Sequence, residues 1–294
     1  MRIVWQTLNS GKPNTVTVGI NCSTTPLEPL DWLGYEESLL SMFSLEGKRA
    51  VVIGGTSGIG RAIAVGLASA GADVVASSRS QEAVNTLADE IEEMGRSTLR
   101  IASDILSRSS IQNLHDLVMS AFGRVDILVN SAGITKRMAT LTCSEEEWNA
   151  IMDVNLKGTL YACQIFGKSM IERRYGRIVN IASLSTFLAF QEVAAYGASK
   201  AAVGALTRSL AVEWAQSGVT VNAIAPGIIP TDLNRKILES ERGEELLIRT
   251  PMQRFGTPDE IVGAAIYLAS DASSFTTGDI IAVDGGYLAS GVNQ

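Results

Sequence analysis

The sequence contains a single histidine, His115, among its 294 residues. A Ser-His-Asp hydrolase, a Cys-His protease or a metal site built on several histidines would have to depend on that one residue. The three cysteines, Cys22, Cys143 and Cys163, are widely separated and form no CxxC pair. Neither a disulfide framework nor a zinc ribbon is therefore expected. These counts argue against most hydrolase chemistry and against a metal centre.

Positive charge and long apolar runs are also scarce. Lys and Arg number 24 against 31 Asp and Glu, which leaves a net charge of −7. An acidic chain without a basic run is poorly suited to bind nucleic acid or an anionic membrane surface. The longest uncharged stretch, 214–231, contains Gln216, Asn222 and several hydroxyl groups, which hydrocarbon would not accept. Because no signal pattern opens the chain, we expect a cytoplasmic protein with neither a membrane nor a nucleic acid as partner.

Residues 1–41 differ in composition from the rest of the chain. They are rich in turn-forming residues and show no sustained helical period, so we expect a loosely ordered N-terminal extension. An alternative is that Met42 is the natural start. Residues 42–294 are expected to form a single catalytic domain, since 46% of the chain is hydrophobic and can bury a sizeable core.

From Leu45 onwards, short β-rich runs alternate with longer helical stretches. Several of the runs are apolar throughout rather than alternating, as expected for strands covered on both faces. The alternation predicts an α/β fold of the Rossmann type, a doubly wound parallel sheet of about seven strands with helices on both faces. The candidate strands are 50–53, 73–77, 98–102, 125–129, 177–181, 219–224 and 280–283.

A glycine-rich turn joins the first candidate strand to the first helix. Gly54, Gly58 and Gly60 precede a helical stretch over 61–70. Glycine lets the chain turn sharply, lets a pyrophosphate approach the backbone and lets the helix pack close to the strand. The phosphates then lie on the amides at the N-terminus of the helix. The position at the first strand–helix crossover favours a dinucleotide site over an ordinary turn.

The end of the second strand indicates which dinucleotide. An acidic residue about twenty positions after the glycines binds the ribose 2′-hydroxyl of NAD, whereas an arginine suits the 2′-phosphate of NADP. This chain has Ser78 and Arg79 there and no carboxylate. Arg79 can pair with the phosphate and Ser78 can donate a hydrogen bond. We therefore expect NADP(H) to be preferred over NAD(H), the alternative being that Arg79 is a solvated surface residue.

Motifs along the chain carry a resemblance to a known family. Segments 53–60, 130–133 and 226–231 resemble the T-G-x-x-x-G-x-G, N-N-A-G and P-G-x-x-x-T motifs of the short-chain dehydrogenase/reductase family, in its single-domain branch. Two positions depart from the pattern: Ile53 stands where threonine is usual and Ser131 where the second asparagine is usual. The resemblance covers about residues 43–290.

The resemblance implies a cofactor site spread over the glycine loop, the end of the second strand and the later motifs. Asp104 and Ile105 would lie against the adenine ring, and the Pro226–Thr231 segment would hold the nicotinamide carboxamide. The implied cofactor-binding residues are Gly54, Thr56, Ser57, Gly58, Ile59, Gly60, Ser78, Arg79, Asp104, Ile105, Asn130, Ala132, Gly133, Tyr196, Lys200, Pro226, Gly227, Ile229 and Thr231.

Four residues are the candidate catalytic group. Tyr196 and Lys200 are spaced i, i+4, on one face of a predicted helix, where the lysine ammonium favours the phenolate. Tyr196 can then accept the alcohol proton during oxidation or donate one to a carbonyl oxygen during reduction. Ser183 ends a predicted strand and would hydrogen-bond the substrate oxygen. Asn155 stands at the position of the fourth catalytic residue of the family, which the resemblance implies supports Lys200 through water.

Substrate specificity is expected from residues after Ser183 (Leu184, Ser185, Phe190, Gln191 and Glu192) and from segment 232–250, which reads as a helical lid. Lys136 and Arg137 are candidates to hold a substrate carboxylate. Segments 249–256 and 287–292 resemble gluconate 5-dehydrogenase-like members, so a small sugar acid or polyol is the preferred substrate class. A 3-oxoacyl-carrier-protein reductase is the alternative, and a catalytically silent NADP-binding sensor is a further one.

The helix predicted over 193–215 carries many small residues, which permit close approach of another backbone. The resemblance implies a subunit interface there and a homotetramer, to which the tail after Gly286 would contribute. His115 is expected to face solvent, and Cys143 and Cys163 to be inert packing residues.

Overall fold

A computed structural model describes residues 41–231 and 238–291. The contacts of the chain group Leu39–Gln294 into one compact unit. The extension predicted for residues 1–41 lies outside the described residues except for Ser41, and it stays a prediction. Cys22 and part of the predicted lid, 232–237, also lie outside the described residues.

One sheet of parallel strands organises the described chain, in the order β2-β1-β3-β4-β5-β6. The doubly wound parallel fold predicted from the sequence is confirmed, with six strands in place of about seven. The strands are β1 (Arg49–Ile53), β2 (Asp73–Ser77), β3 (Ile127–Asn130), β4 (Gly176–Ile181), β5 (Val219–Pro226) and β6 (Ile280–Val283).

The strand predicted over 98–102 does not form, and that prediction is wrong. The segment runs beside β2 but shares backbone hydrogen bonds with it only near its two ends, from Val74 N to the Ser97 carbonyl (3.2 Å) and from Ser103 N to the Ser78 carbonyl (2.9 Å). Between them, the Ser77 hydroxyl donates to the Ile101 carbonyl at 2.7 Å. A side chain thus binds a carbonyl that a regular parallel ladder would pair with a backbone N–H.

Helices connect the strands and cover both faces of the sheet. Serine side chains mark several helix starts: Ser80 accepts from Ala83 N and Ser107 from Ser110 N, as expected of N-cap residues. The helices are α1 (Gly58–Ser69), α2 (Gln81–Glu93), α3 (Arg108–Phe122), α4 (Glu145–Met152), α5 (Thr159–Arg173), α6 (Ala194–Trp214), α7 (Glu241–Ile248) and α8 (Val262–Ala269). A π-helical turn, Asp153–Gly158, joins α4 to α5.

Each face of the sheet has its own apolar core. On one face, α1 and α8 pack through residues such as Ile63, Leu67 and Leu268. On the other, α3 and α5 pack through residues such as Leu114 and Phe166. All residues of β3, β4 and β5 are buried. This two-sided burial explains why the strands read as apolar runs rather than as alternating ones.

The strand order places a crevice at one edge of the sheet. The chain moves from β1 outward to β2, then returns to pair β3 with the other side of β1. The connections that leave β1 and β3 therefore diverge, and ligands of open α/β sheets bind between such diverging loops at the carboxyl ends of the strands. Within the described residues, no helix is both long and apolar enough to cross a membrane.

Candidate active site

The glycine-rich turn after β1 is held against two neighbouring backbones. Gly54 has a φ of +78°, and a Cβ on it would lie 2.5 Å from the Ala132 backbone nitrogen. A Cβ on Gly60 would lie 2.1 Å from the Gly54 carbonyl oxygen. Both distances are far below van der Waals contact. These two positions therefore require glycine, which is the structural reason for the motif.

The N-terminus of α1 presents free amides at this turn. Ser57 is the N-cap residue, but its side chain makes no capping hydrogen bond, and the first turn holds no acidic residue. Ser57 and Gly58 are exposed. An uncapped helix N-terminus carries unpaired N–H donors and a partial positive charge, which suits a phosphate.

A cleft of about 880 Å³ extends from this turn across the carboxyl ends of the strands. Most of the residues predicted to bind the cofactor or to take part in catalysis lie on its wall. Those on the wall are Gly54, Ser57, Gly58, Ile59, Gly60, Ser78, Arg79, Asp104, Ile105, Ala132, Gly133, Ser183, Tyr196, Lys200, Pro226, Gly227, Ile229 and Thr231.

Of the predicted cofactor-binding and catalytic residues, three lie behind the wall rather than on it, and the predicted specificity residues Leu184, Ser185, Phe190, Gln191 and Glu192 do not line the cleft either. Thr56 donates its hydroxyl hydrogen to Ser78 Oγ at 2.8 Å, so it orients a wall residue. Asn130 is 4% exposed and donates from Nδ2 to Asn180 Oδ1 at 2.9 Å. Asn155 is also buried. These side chains support the cleft from beneath.

The structure adds wall residues that sequence reasoning missed. Ser131, which replaces the second asparagine of the N-N-A-G motif, lies on the wall. Its hydroxyl oxygen would lie 2.9 Å from a Cβ on Gly60. Asp153 and Val154 come from the π-helical turn, which no sequence period predicts. Further wall residues are Ile53, Ser103, Leu106, Ile134, Thr135, Ala150, Ile181, Ala182 and Pro230.

The two ends of the cleft differ in chemistry. At one end, Arg79 is exposed directly after β2, and no carboxylate of the described residues lies within 4 Å of its guanidinium. Ile105, on the wall of the same cleft, packs so closely on the π-helical turn that a Cβ on Gly158 would meet Ile105 Cγ1 at 2.4 Å. This end combines a free positive charge with an apolar wall.

At the other end, Ser183, Tyr196 and Lys200 converge. Ser183 follows β4 and caps a short 3-10 turn, accepting from Ser185 N at 3.1 Å. Its side chain and the Tyr196 phenol both lie on the wall of the cleft. Lys200 Nζ lies 5.9 Å from the centre of the Tyr196 ring and donates to the Ile181 carbonyl at 2.6 Å. Helix α6 thus holds the phenol and the ammonium side by side, as their spacing predicts.

Burial shifts both titratable groups of this end. It raises the pKa of Tyr196 above its usual value of 10.0, and the hydrogen bond with Ser183 opposes that rise. It lowers the pKa of Lys200 from its usual 10.5 to about 8. In each case burial disfavours the charged form, because low dielectric surroundings solvate an ion poorly.

Asn155 lies within the π-helical turn and fixes the loop after β3. Its Nδ2 donates to the Ile134 carbonyl and to Ser199 Oγ, both at 2.9 Å, and its Oδ1 accepts from Ile134 N at 2.8 Å. Ser199 in turn donates to the Tyr196 carbonyl at 2.7 Å. Asn155 therefore joins the Gly133–Ile134 wall of the cleft to the helix that carries Tyr196.

The candidates for a substrate carboxylate are already paired. Lys136 forms an ion pair with Glu147, and Arg137 Nε donates to Glu192 Oε2 at 2.6 Å. Lys136 lines a separate pocket of about 320 Å³, next to Cys143. Neither cation lines the main cleft.

The remaining singled-out residues lie away from the cleft. His115, predicted to face solvent, is instead partly buried: its side chain is 13% exposed, contacts Ser169 Oγ and packs edge-on against Phe166. Burial raises the pKa of the Cys163 thiol to about 12, which makes it unreactive. The described residues contain no cluster of three His, Cys, Asp or Glu side chains that could hold a metal ion.

A glycine cradle, an uncapped helix N-terminus and a serine–tyrosine–lysine group in one cleft define a nucleotide-binding oxidoreductase of the doubly wound class. Residues 54–288 match the family model described as enoyl-(acyl carrier protein) reductase. The chain belongs to the short-chain dehydrogenase/reductase family, as its motifs indicate, and acts on CH–OH groups with a nicotinamide cofactor.

Relatives and solved structures agree with this placement. The chain is 41% identical to a 2-dehydro-3-deoxy-D-gluconate 5-dehydrogenase of Pseudoalteromonas atlantica, over 85% of this chain and 99% of the relative. It is 40% identical to a D-threitol dehydrogenase of Mycolicibacterium smegmatis, over 83% and 94%. A gluconate 5-dehydrogenase from Burkholderia cenocepacia, solved in complex with NADP and tartrate, superposes with a TM-score of 0.84 at 38% identity, covering 86% of this chain and all of that one.

Proposed function

We propose that this protein is an NADP-dependent oxidoreductase that transfers a hydride between nicotinamide and a ketone or secondary alcohol, with a sugar acid as substrate. The observation that carries the proposal is the convergence of Ser183, Tyr196 and Lys200 on the wall of the cleft that begins at the glycine cradle. Relatives named as gluconate and 2-dehydro-3-deoxy-D-gluconate dehydrogenases support the substrate class.

The residues of the chain fit a dinucleotide. Gly54 and Gly60 leave room for a pyrophosphate, the open amides at Ser57–Gly58 would bind it, and Ile105 offers an apolar contact for the adenine. The Pro226–Thr231 segment would receive the carboxamide. Solved neighbours that hold NADP support this cofactor.

In the proposed reaction the side chains of the protein transfer the proton and stabilise the charge. When bound, nicotinamide accepts a hydride from the alcohol carbon or, in its reduced form, donates one to the ketone carbon. Tyr196 takes the hydroxyl proton during oxidation and returns it to the carbonyl oxygen during reduction. Ser183 donates a hydrogen bond to the same oxygen and stabilises its negative charge. The ammonium of Lys200 stabilises the phenolate of Tyr196.

A preference for NADP over NAD follows from the charge at Arg79. The guanidinium is exposed on the cleft wall and no described carboxylate neutralises it, while Ser78 lies beside it. A 2′-phosphate would gain a charge-assisted hydrogen bond there, whereas a 2′-hydroxyl would gain less.

We also propose a cytoplasmic homotetramer. Helix α6 supports the interface, because its outward face carries the small residues Ala201 and Ala205 and leaves Val212 81% exposed. Isolated apolar side chains on a surface are ordinary, but one beside small residues on a long helix suits close packing against a second copy.

A second candidate is a 3-oxoacyl-carrier-protein reductase, the name of a relative that is 38% identical to this chain over 244 residues. An acidic carrier would need basic residues near the mouth of the cleft. Lys136 and Arg137, the two cations predicted there from the sequence, are each paired with a glutamate. The net charge of −7 also opposes a carrier of the same sign.

The test follows NADPH and NADH absorbance with 5-ketogluconate, an uncharged ketose and a 3-oxoacyl thioester. We expect NADPH oxidation with the keto acid. Tyr196→Phe is expected to lose more than 99% of that rate, about two orders of magnitude, while calorimetric NADPH affinity stays unchanged. A preference for the thioester would move the function to the second candidate. Equal rates in wild type and Tyr196→Phe would overturn the mechanism, and no turnover at all would favour the NADP-binding sensor.

A further inference from the structure

Tyr196 lies in a helix turn that is weakly stabilised by its own sequence. It is the third residue of α6, whose N-cap residue, Val193, makes no side-chain capping hydrogen bond. The first turn holds no acidic residue, and Gly197, which directly follows Tyr196, disfavours a helical backbone. Helix ends fray unless their free backbone groups find partners. A contact other than the usual caps must therefore hold the phenol in place.

The Ser199 hydroxyl supplies such a contact. Ser199 is fully buried, at 0% exposure. Its Oγ donates to the Tyr196 carbonyl at 2.7 Å and accepts from Asn155 Nδ2 at 2.9 Å. The first bond is ordinary, since a serine within a helix often donates to a carbonyl of the preceding turn. The second bond ties the turn to a different segment of the chain.

The Asn155 amide connects this bond to the cleft. Its Oδ1 accepts from Ile134 N, and its second N–H donates to the Ile134 carbonyl. Ile134 lies on the cleft wall, as do Gly133 and Tyr196. Each N–H of the amide thus has one acceptor, and Asn155 is 1% exposed. Loss of the Ser199 hydroxyl would leave one buried N–H unpaired and would separate the turn from the wall.

A second buried hydroxyl on α6 makes a matching pair of hydrogen bonds away from the phenol. Thr207 is also at 0% exposure and lies about three helical turns beyond Tyr196. Its Oγ1 donates to the Val203 carbonyl at 2.9 Å and accepts from Asn180 Nδ2 at 3.0 Å. The two hydroxyls therefore have equivalent surroundings, and only that of Ser199 contacts the turn that carries Tyr196.

We propose that Ser199 is a positioning residue for the reaction. Its hydroxyl bridges the Asn155 amide and the Tyr196 carbonyl, and so holds the phenol at a fixed place relative to the wall at Gly133 and Ile134. Ser199 itself is not on the cleft wall, so it acts through Tyr196 and Asn155. The proposal rests on the proposed function for the role of Tyr196.

The test compares Ser199→Ala with Thr207→Val, since each variant removes one buried hydroxyl from α6. With 5-ketogluconate and NADPH, we expect kcat of Ser199→Ala to fall about 10- to 100-fold, because a small misplacement of a catalytic group costs a comparable factor. KM for both ligands should stay within about twofold, since the wall residues that bind them are unchanged. Thr207→Val should keep kcat within about twofold of the wild type.

Equal losses of kcat in the two variants would give Ser199 a merely structural role and overturn the proposal. So would an unchanged kcat in Ser199→Ala, or a rise in KM alone. Ser199→Cys covers the case in which Ser199→Ala does not fold. Its thiol keeps the volume but is a weak donor and acceptor, so kcat should fall in this variant as well.

A double variant tests whether Ser199 acts together with Asn155. In Asn155→Ala the amide is already absent, so the addition of Ser199→Ala should lower kcat by less than about a further twofold. A further loss as large as the one in the wild-type background would overturn the link between the two residues.

Hydrogen exchange separates failure of this proposal from failure of the proposed function. If the wild type reduces no ketone, the proposed function fails, and the exchange rates of the backbone amides of residues 197–200 still decide the role of Ser199. These amides should exchange at least about fivefold faster in Ser199→Ala, as for loss of one hydrogen bond, and at the wild-type rate in Thr207→Val. Equal exchange in all three proteins would overturn the proposal.

Discussion

The charged form of Lys200 is needed for the proposed chemistry but lowers the stability of the folded protein, and this cost can be measured. Its side chain is buried, at 5% exposure, yet the proposed chemistry needs it as an ammonium. A pKa of about 8 in the folded protein, against a usual 10.5, corresponds to about 3 kcal/mol spent on holding that charge below pH 8. Between pH 8 and 10.5 the folded state loses its proton first. The free energy of unfolding of the wild type should therefore rise with pH across this window.

Lys200→Met removes the titrating group and keeps a side chain of similar length. The variant also loses the hydrogen bond from Nζ to the Ile181 carbonyl, at a cost of about 1 kcal/mol. That cost is nearly independent of pH, since a neutral amine donates as well. We therefore expect the stability of Lys200→Met minus that of the wild type to fall by about 3 kcal/mol from pH 7.5 to 10.5. Activity should be lost throughout.

Urea unfolding at a fixed protein concentration measures this difference, with the fluorescence of the four tryptophans as the signal. Lys168→Met is the control, because Lys168 is exposed on α5. Its difference from the wild type should not change with pH. Parallel curves for the wild type and Lys200→Met over the whole range would refute the argument that burial lowers the pKa of Lys200.

Three further predictions concern the cofactor and the proton. Gly60→Ala places a Cβ 2.1 Å from the Gly54 carbonyl oxygen, and the affinity for NADPH, measured by calorimetry, should fall at least about tenfold. Gly263→Ala, whose Cβ would meet open space, should leave that affinity unchanged. Arg79→Ala should weaken NADPH binding about 10- to 100-fold and NADH binding by less than about threefold; equal losses would contradict the 2′-phosphate assignment. Because burial raises the pKa of Tyr196, the rate of ketone reduction should be constant through neutral pH and decline only at alkaline pH. The rate of alcohol oxidation should rise with pH. A reduction rate that falls between pH 6 and 8 would contradict this prediction.

The sequence predicted the parts of the fold that depend on local pattern. Apolar runs located β1 to β6, and the bounds of α1 and α6 agree with the predicted helices to within a few residues. The segment 98–102 was assigned as a strand because its composition resembles one. In the structure the Ser77 hydroxyl donates to the Ile101 carbonyl, a contact that no pattern within the segment encodes.

In the candidate site, too, local spacing predicted some contacts, whereas contacts between distant segments could not be predicted. Spacing alone placed Tyr196 next to Lys200, since i and i+4 share a helix face, and glycine spacing located the cradle. The pairing of Arg137 with Glu192 could not be predicted, because the two residues are 55 positions apart and meet only where the loops after β3 and β4 converge. Their ion pair changes which cations are available to a substrate.

Asn155 shows how much of the site depends on tertiary structure. The family resemblance assigns it to Lys200 through water, whereas its hydrogen bonds in the structure go to both backbone groups of Ile134 and to Ser199. A regular helix would continue its own i to i−4 ladder through this position; the π-helical turn widens the helix there and directs the amide towards the loop after β3. That loop holds the cleft wall at Gly133, where a Cβ would lie 3.4 Å from Asn155 Oδ1 and 3.6 Å from Lys200 Nζ. The amide thus fixes the position of the cleft wall at Gly133 relative to the Lys200 ammonium.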